Sequence, residues 1–133
     1  LHYRAGELIQ IAKEIRDNLG NRLPNELSGL LSIPGIEEYS ARAVLTFAYN
    51  QDVGIVDTNI ARFFFRFLGI EGDIPQNPAR NKRLLVLADS IVPEGKSKLF
   101  NYALLDLCAE CCTNSSPACD ICPVRENCRY GED

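Results

Sequence analysis

Four cysteines near the C-terminal end, Cys112, Cys119, Cys122 and Cys128, are spaced C-x6-C-x2-C-x5-C. Thiolates at such spacing can converge on one metal centre, and structural zinc and iron–sulfur clusters are both held by sets of this kind. All six cysteines of the chain lie between Cys108 and Cys128. A disulfide framework would more often spread its cysteines over the elements it staples, so the pattern favours metal ligation. Spacing alone does not choose the metal.

Two further segments could do chemistry. Pro34-Gly35-Ile36-Glu37, set between helical stretches, has the form of a hairpin turn. Such a turn can aim backbone N–H groups and the positive end of the following helix at a phosphate, which requires little net positive charge. It can equally do no more than join two packed helices. In Ile55-Val56-Asp57-Thr58-Asn59 a carboxylate follows two apolar residues and opens a helix. As an N-cap, Asp57 bonds the free N–H groups of that helix; held rigid in this way, it can still face a cleft.

The elements that must position these groups read as helices over residues 4–19, 25–31, 40–49, 58–68, 80–92 and 97–112. In the first, Leu8, Ile9, Ala12, Ile15 and Leu19 recur at helical period and predict one dry face. No stretch alternates as a strand would, so the chain reads as all-α. Its 133 residues suit one domain or part of one. A net charge of −4 argues against a broad surface that coats nucleic acid, but leaves room for a local site. No apolar run is long enough to cross a membrane. The chain starts at Leu1 and lacks methionine, so it is not expected to be a complete translation product. His2, the sole histidine, lies at the extreme end and receives no catalytic role.

In this order, the turn at 33–40, the Val56-Asp57-Thr58-Asn59 segment and the cysteine quartet resemble the helix–hairpin–helix (Gly/Pro…Asp) DNA glycosylases of the endonuclease III superfamily. Phe100-Asn101-Tyr102-Ala103-Leu104-Leu105-Asp106-Leu107 looks like the thymine–guanine mismatch and adenine branches especially. The likeness runs over essentially the whole chain. It implies a partial helical bundle over residues 1–96, with the hairpin at about 25–49, and a C-terminal helix with a cluster loop over 97–133. A complete member carries further helices before the point that matches Leu1, so a missing N-terminal segment is expected to complete the bundle.

The resemblance also assigns roles. Asp57 matches the catalytic aspartate and Asn59 an asparagine that orients it. Cys112, Cys119, Cys122 and Cys128 match the ligands of a 4Fe-4S cluster, which favours iron–sulfur over zinc. Pro34, Gly35, Ile36 and Glu37 fall where the hairpin meets the DNA backbone, and Arg125 and Arg129 are candidate phosphate contacts from the cluster loop. Cys108 and Cys111 have no counterpart among the ligands and are expected to be packing residues. Tyr39 stands where bifunctional members hold the lysine that forms a Schiff base; a phenol cannot form an imine, so the lyase route is expected to be missing. Tyrosine there places the chain nearest the thymine branch. The hairpin departs from the family pattern at Glu37, where a second glycine is usual, and a carboxylate there is expected to weaken phosphate binding.

The implied function is base-excision repair: hydrolysis of the N-glycosidic bond of thymine or uracil opposite guanine in double-stranded DNA. The alternatives are adenine excision opposite oxidised guanine, a DNA-binding module of the same fold without activity, and a zinc-stabilised interaction domain. The expected compartment is the cytoplasm of a prokaryote, at the nucleoid, or the nucleus of a eukaryote.

Overall fold

The computed structural model describes residues 2–130, and among these it contains helices and turns but no strand. Six α-helices follow in order: α1 (His2–Asn18), α2 (Leu27–Leu31), α3 (Glu38–Ala43), α4 (Thr58–Leu68), α5 (Lys82–Ile91) and α6 (Ser97–Glu110). Short 3-10 turns lie at Pro78–Arg80, Cys119–Ile121 and Arg125–Asn127. No helix among the described residues is long and apolar enough to cross a membrane.

The centre of the molecule is α4. Asp57 caps its start by accepting a hydrogen bond from the Ile60 N–H, and Gly69 ends it in the left-handed conformation at φ 63°. Ile60, Ala61, Phe63 and Phe64 are buried on α4, where they meet Leu84, Leu85 and Ala88 of α5 and Leu104 and Cys108 of α6. Burial of this apolar surface is the main favourable term holding the three helices together. A smaller core of Leu30, Ala41 and Leu45 joins α2 to the helix that follows the hairpin.

Two expectations need correction. The helix expected over 40–49 begins earlier, at Glu38, and Val44–Ala48 continues it as one π-helical turn. That wider turn carries Thr46, fully buried, into hydrogen-bond range of Ser97 and Asn101 on α6. A polar anchor between helices thus overrides regular α-helical winding. On α1, Leu8 and Ile9 stay 66% and 57% exposed. Of the expected face, Ala12 is exposed as well and only Ile15 and Leu19 are half-buried; Ile11, outside that face, is half-buried too.

Candidate active site and cysteine recess

The loop that delivers Asp57 has no regular structure, yet side chains from three helices satisfy its backbone. Asn101 of α6 accepts from the Ile55 N–H at 3.3 Å and donates to the Val53 carbonyl at 2.9 Å. Arg42 donates to the Gly54 carbonyl at 3.0 Å, and Asp89 accepts from the Gly54 N–H at 2.8 Å. Ser97 donates to the Gln51 carbonyl at 2.5 Å. Arg42 is itself buried between Glu38 at 2.9 Å and Asp89 at 2.7 Å. Burial opposes its charge, but the bonds to Asp89 and Glu38 outweigh that and raise its pKa.

Asp57 sits half-buried at the head of α4. Its Oδ1 accepts from the Ile60 N–H at 2.7 Å and its Oδ2 from Asn59 Nδ2 at 3.2 Å. The orienting role expected for Asn59 has this bond as its geometric support. Asn59 Oδ1 in turn accepts from Arg62 Nη1 at 2.9 Å. Arg62 is only 7% exposed and donates from Nε at 3.1 Å and from Nη2 at 2.7 Å to the carbonyl of Cys112. Because Arg62 can only donate, it fixes which end of the Asn59 amide faces it, and so turns the NH2 toward Asp57. Sequence reading missed Arg62. The available signal was a charged residue inside an otherwise apolar run, Ile60-Ala61-Arg62-Phe63-Phe64, on the buried face of a helix.

Tyr39 lies in the first turn of α3, half-buried against the main core. Burial, and then the charge of Asp57, pushes its phenol above the ordinary tyrosine value. The hydroxyl is therefore protonated through the neutral range and sits within reach of the Asp57 field. In the hairpin, Gly35 adopts φ 88°, which a residue with a Cβ adopts only under strain. Pro34 and Gly35 are exposed and Ile36 is half-buried. Glu37 caps α3 with no side-chain hydrogen bond to it. Its carboxylate instead pairs with Arg80 of the Pro78–Arg80 turn at 3.3 Å.

At the other end of α4, the cysteines line one recess together with Phe63, Arg66 and Val124; its volume is about 20 Å³. Cys112, Cys119, Cys122 and Cys128 all face it, and so does Cys111. Arg66 reaches the Cys112 sulfur at 3.7 Å and holds the loop through the carbonyls of Thr113 at 2.6 Å and Asn114 at 2.8 Å. It also covers the Tyr130 ring at 4.8 Å. Arg125 lines the recess and donates to the Tyr130 carbonyl at 2.6 Å. Arg129 lies over Gly69, while its N–H bonds the Phe67 carbonyl at 3.1 Å. Neither arginine is turned toward the Asp57 end by these contacts. Among the described residues, no three His, Cys, Asp or Glu side chains draw together tightly enough for a single metal ion. Cys108 faces away from the recess; it donates to the Asn59 carbonyl at 3.5 Å and is buried as expected.

Comparison with known proteins agrees with this architecture. The chain is 32% identical over 129 residues to the thymine/uracil-DNA glycosylase of Methanothermobacter thermautotrophicus, a match spanning 97% of the chain and 58% of that relative. It is 37% identical over 127 residues to the adenine DNA glycosylase of Mycolicibacterium smegmatis, covering 96% of the chain and 42% of the relative. A solved thermostable thymine-DNA glycosylase superposes with a TM-score of 0.86 at 31% identity, over 96% of this chain and 58% of that one. Endonuclease III trapped on DNA superposes at TM-score 0.74 with 21% identity, over 96% of this chain and 57% of that one, which shows a shared fold. No protein-family model matches the chain. The fold is that of an endonuclease III-like helical protein. Over 96–97% of its own length the chain is similar to thymine- and adenine-type DNA glycosylases, as the helix–hairpin–helix resemblance implies. It spans about 58% of the length of the thymine-type relatives it matches.

Proposed function

We propose that the protein removes a mismatched pyrimidine, thymine or uracil opposite guanine, from double-stranded DNA by hydrolysing the N-glycosidic bond without cutting the strand. The observation that carries this reading is the capped, Asn59-oriented carboxylate of Asp57 near the half-buried phenol of Tyr39. Breaking a glycosidic bond builds positive charge on the sugar. Asp57, held by two donors at a fixed point, stabilises that charge and can take the proton of an attacking water. Tyr39 fills the place where an amine would attack the sugar, and a protonated phenol does not form the imine that strand cleavage requires. Extruding a base from a mismatch costs less than from a matched pair, which adds selectivity.

The hairpin of Pro34, Gly35, Ile36 and Glu37 is read as the contact to the DNA backbone, and Arg125 and Arg129 as weaker candidates on the far loop. The cysteine recess supports a 4Fe-4S cluster over zinc. Five thiols line it, the four expected ligands among them, Arg66 and Arg125 offset thiolate charge, and no carboxylate lines it among the described residues. When bound, the cluster would order residues 112–128 against α4. Such an enzyme works where the DNA is, in the prokaryotic cytoplasm or the eukaryotic nucleus. The adenine-type relatives favour a second reading, excision of adenine opposite oxidised guanine.

The test is base release by the full-length protein from labelled duplexes with guanine opposite thymine or uracil, adenine opposite oxidised guanine, and matched controls. Release from the guanine–thymine duplex, with breaks only after alkali, is expected. Asp57→Asn is expected to lower the rate by at least about 10²-fold while duplex binding persists. Release of adenine alone would replace the first reading by the second. Binding without release from any duplex would leave a DNA-binding module.

A further inference from the structure

The recess holds one more thiol than a four-ligand cluster uses. Cys111, Cys112, Cys119, Cys122 and Cys128 all line it, and Cys111 is 9% exposed, as deeply placed as its neighbour Cys112. Two cysteines of the chain stand outside the ligand pattern, and they differ. Cys108 turns the other way and spends its S–H on the Asn59 carbonyl. Among the described residues no hydrogen bond engages the Cys111 sulfur, whereas Cys112 receives Arg66 and Cys128 donates to the Arg66 carbonyl at 3.8 Å. The backbone of Cys111 is tied to the cluster loop, since its carbonyl accepts from the Ala118 N–H at 2.8 Å, directly before Cys119. Its place therefore moves with the ligand loop and not with α6 alone.

We infer that Cys111 is a reserve ligand, able to hold the iron site in place of Cys112. The exchange is a ligand substitution with no net redox change. The Cys112 sulfur–iron bond breaks and that thiolate takes up a proton, while the Cys111 thiol gives up its proton and forms the new bond. The consequence is a cluster that survives damage at one of its four attachment points. This inference rests on the iron–sulfur reading above.

The experiment measures iron and acid-labile sulfide per chain, with visible absorption, in the full-length protein. Wild type is compared with Cys112→Ser, Cys128→Ser, Cys111→Ser and the double variant Cys111→Ser/Cys112→Ser. Wild type without iron and sulfide would defeat the cluster reading itself, a result distinct from the rest. Given a loaded wild type, Cys112→Ser is expected to keep most of its iron, while Cys128→Ser and the double variant lose nearly all of it. Cys111→Ser is expected to load fully but to surrender iron to a chelator several-fold faster than wild type. Cys112→Ser as depleted as Cys128→Ser, with chelator release unchanged in Cys111→Ser, would overturn the assignment.

Discussion

Arg62 ties the two ends of the site together: one guanidinium bonds the Asn59 amide oxygen and the carbonyl of the first quartet cysteine. Arg62→Lys preserves charge but cannot span both partners in a fixed fork. It is expected to cut base release by about 10- to 100-fold through misplacement of Asp57, with the loss in kcat and not in duplex affinity. Rates equal to wild type would show that Asp57 is positioned by its helix cap alone. Cys108 offers a second handle on the same neighbourhood. Burial, and more weakly the charges of Cys112 and Asp57, pushes its thiol up to about 12, whereas a free thiol ionises near about 8.5. The folded state thus keeps the neutral form longer than the unfolded one. Its contribution to stability is complete below about pH 8.5 and is lost as pH climbs towards the folded value. Cys108→Ala is expected to flatten the alkaline stability slope by up to about 1.4 kcal/mol per pH unit, read from urea titrations at a series of pH values.

At the scale of elements, the contact between the Asp57 loop and α5 leaves no slack. A Cβ on Gly54 would lie 2.5 Å from the backbone carbonyl carbon of Ala88 and 2.6 Å from its Cβ. Backbone cannot yield as a flexible side chain does, so Gly54→Ala is expected to cost about 1–3 kcal/mol, measured by chemical denaturation. Much of this level was legible in sequence. The period of apolar residues gives α4 its bounds, Asp57 and Gly69 its caps, and the cysteine spacing its recess. What escaped was whatever depends on a partner distant in the chain. Thr46 reads as an ordinary polar residue until Asn101 and Ser97 come to meet it across more than 50 positions, and the π-turn follows from that meeting. Likewise Glu37 reads as a bare carboxylate at the hairpin, whereas the fold supplies Arg80 beside it. Exposed pairs of this sort are worth little in stability. Glu37→Gly is still expected to tighten duplex binding, by filter binding or anisotropy, because it removes a negative charge from the phosphate approach and releases Arg80. Unchanged affinity would show that the hairpin carbonyl side, and not Glu37, limits the approach.

For the whole molecule, the decisive property is uncovered apolar surface. Tyr3, Leu8 and Ile9 stand out from α1. A second apolar groove of about 420 Å³ runs between α4, α5 and α6, lined by Phe64, Phe67, Leu87, Phe100 and Leu104 among others. Surfaces of this kind drive association. The 133-residue chain by itself is expected to sediment as more than a monomer, and Leu8→Gln with Ile9→Gln to shift it towards monomer. A monomeric chain at high concentration would show that the apolar face of α1 does not drive association. The length of the relatives fits the same view, since about two-fifths of the thymine-type proteins lies outside the match.

The loop over 51–56 has a consequence of another kind. Its amides at Gly54 and Ile55 are spoken for by Asp89 and Asn101, and its carbonyls at Gln51, Val53 and Gly54 by Ser97, Asn101 and Arg42. A segment without helix or strand is thus locked at its centre, and the buried amide protons of Gly54 and Ile55 will trade with deuterium on the timescale of the core. A carboxylate mounted on such a segment does not wander. In the proposed reaction the travelling is left to the nucleotide, which must come out of the duplex to a point that stays still.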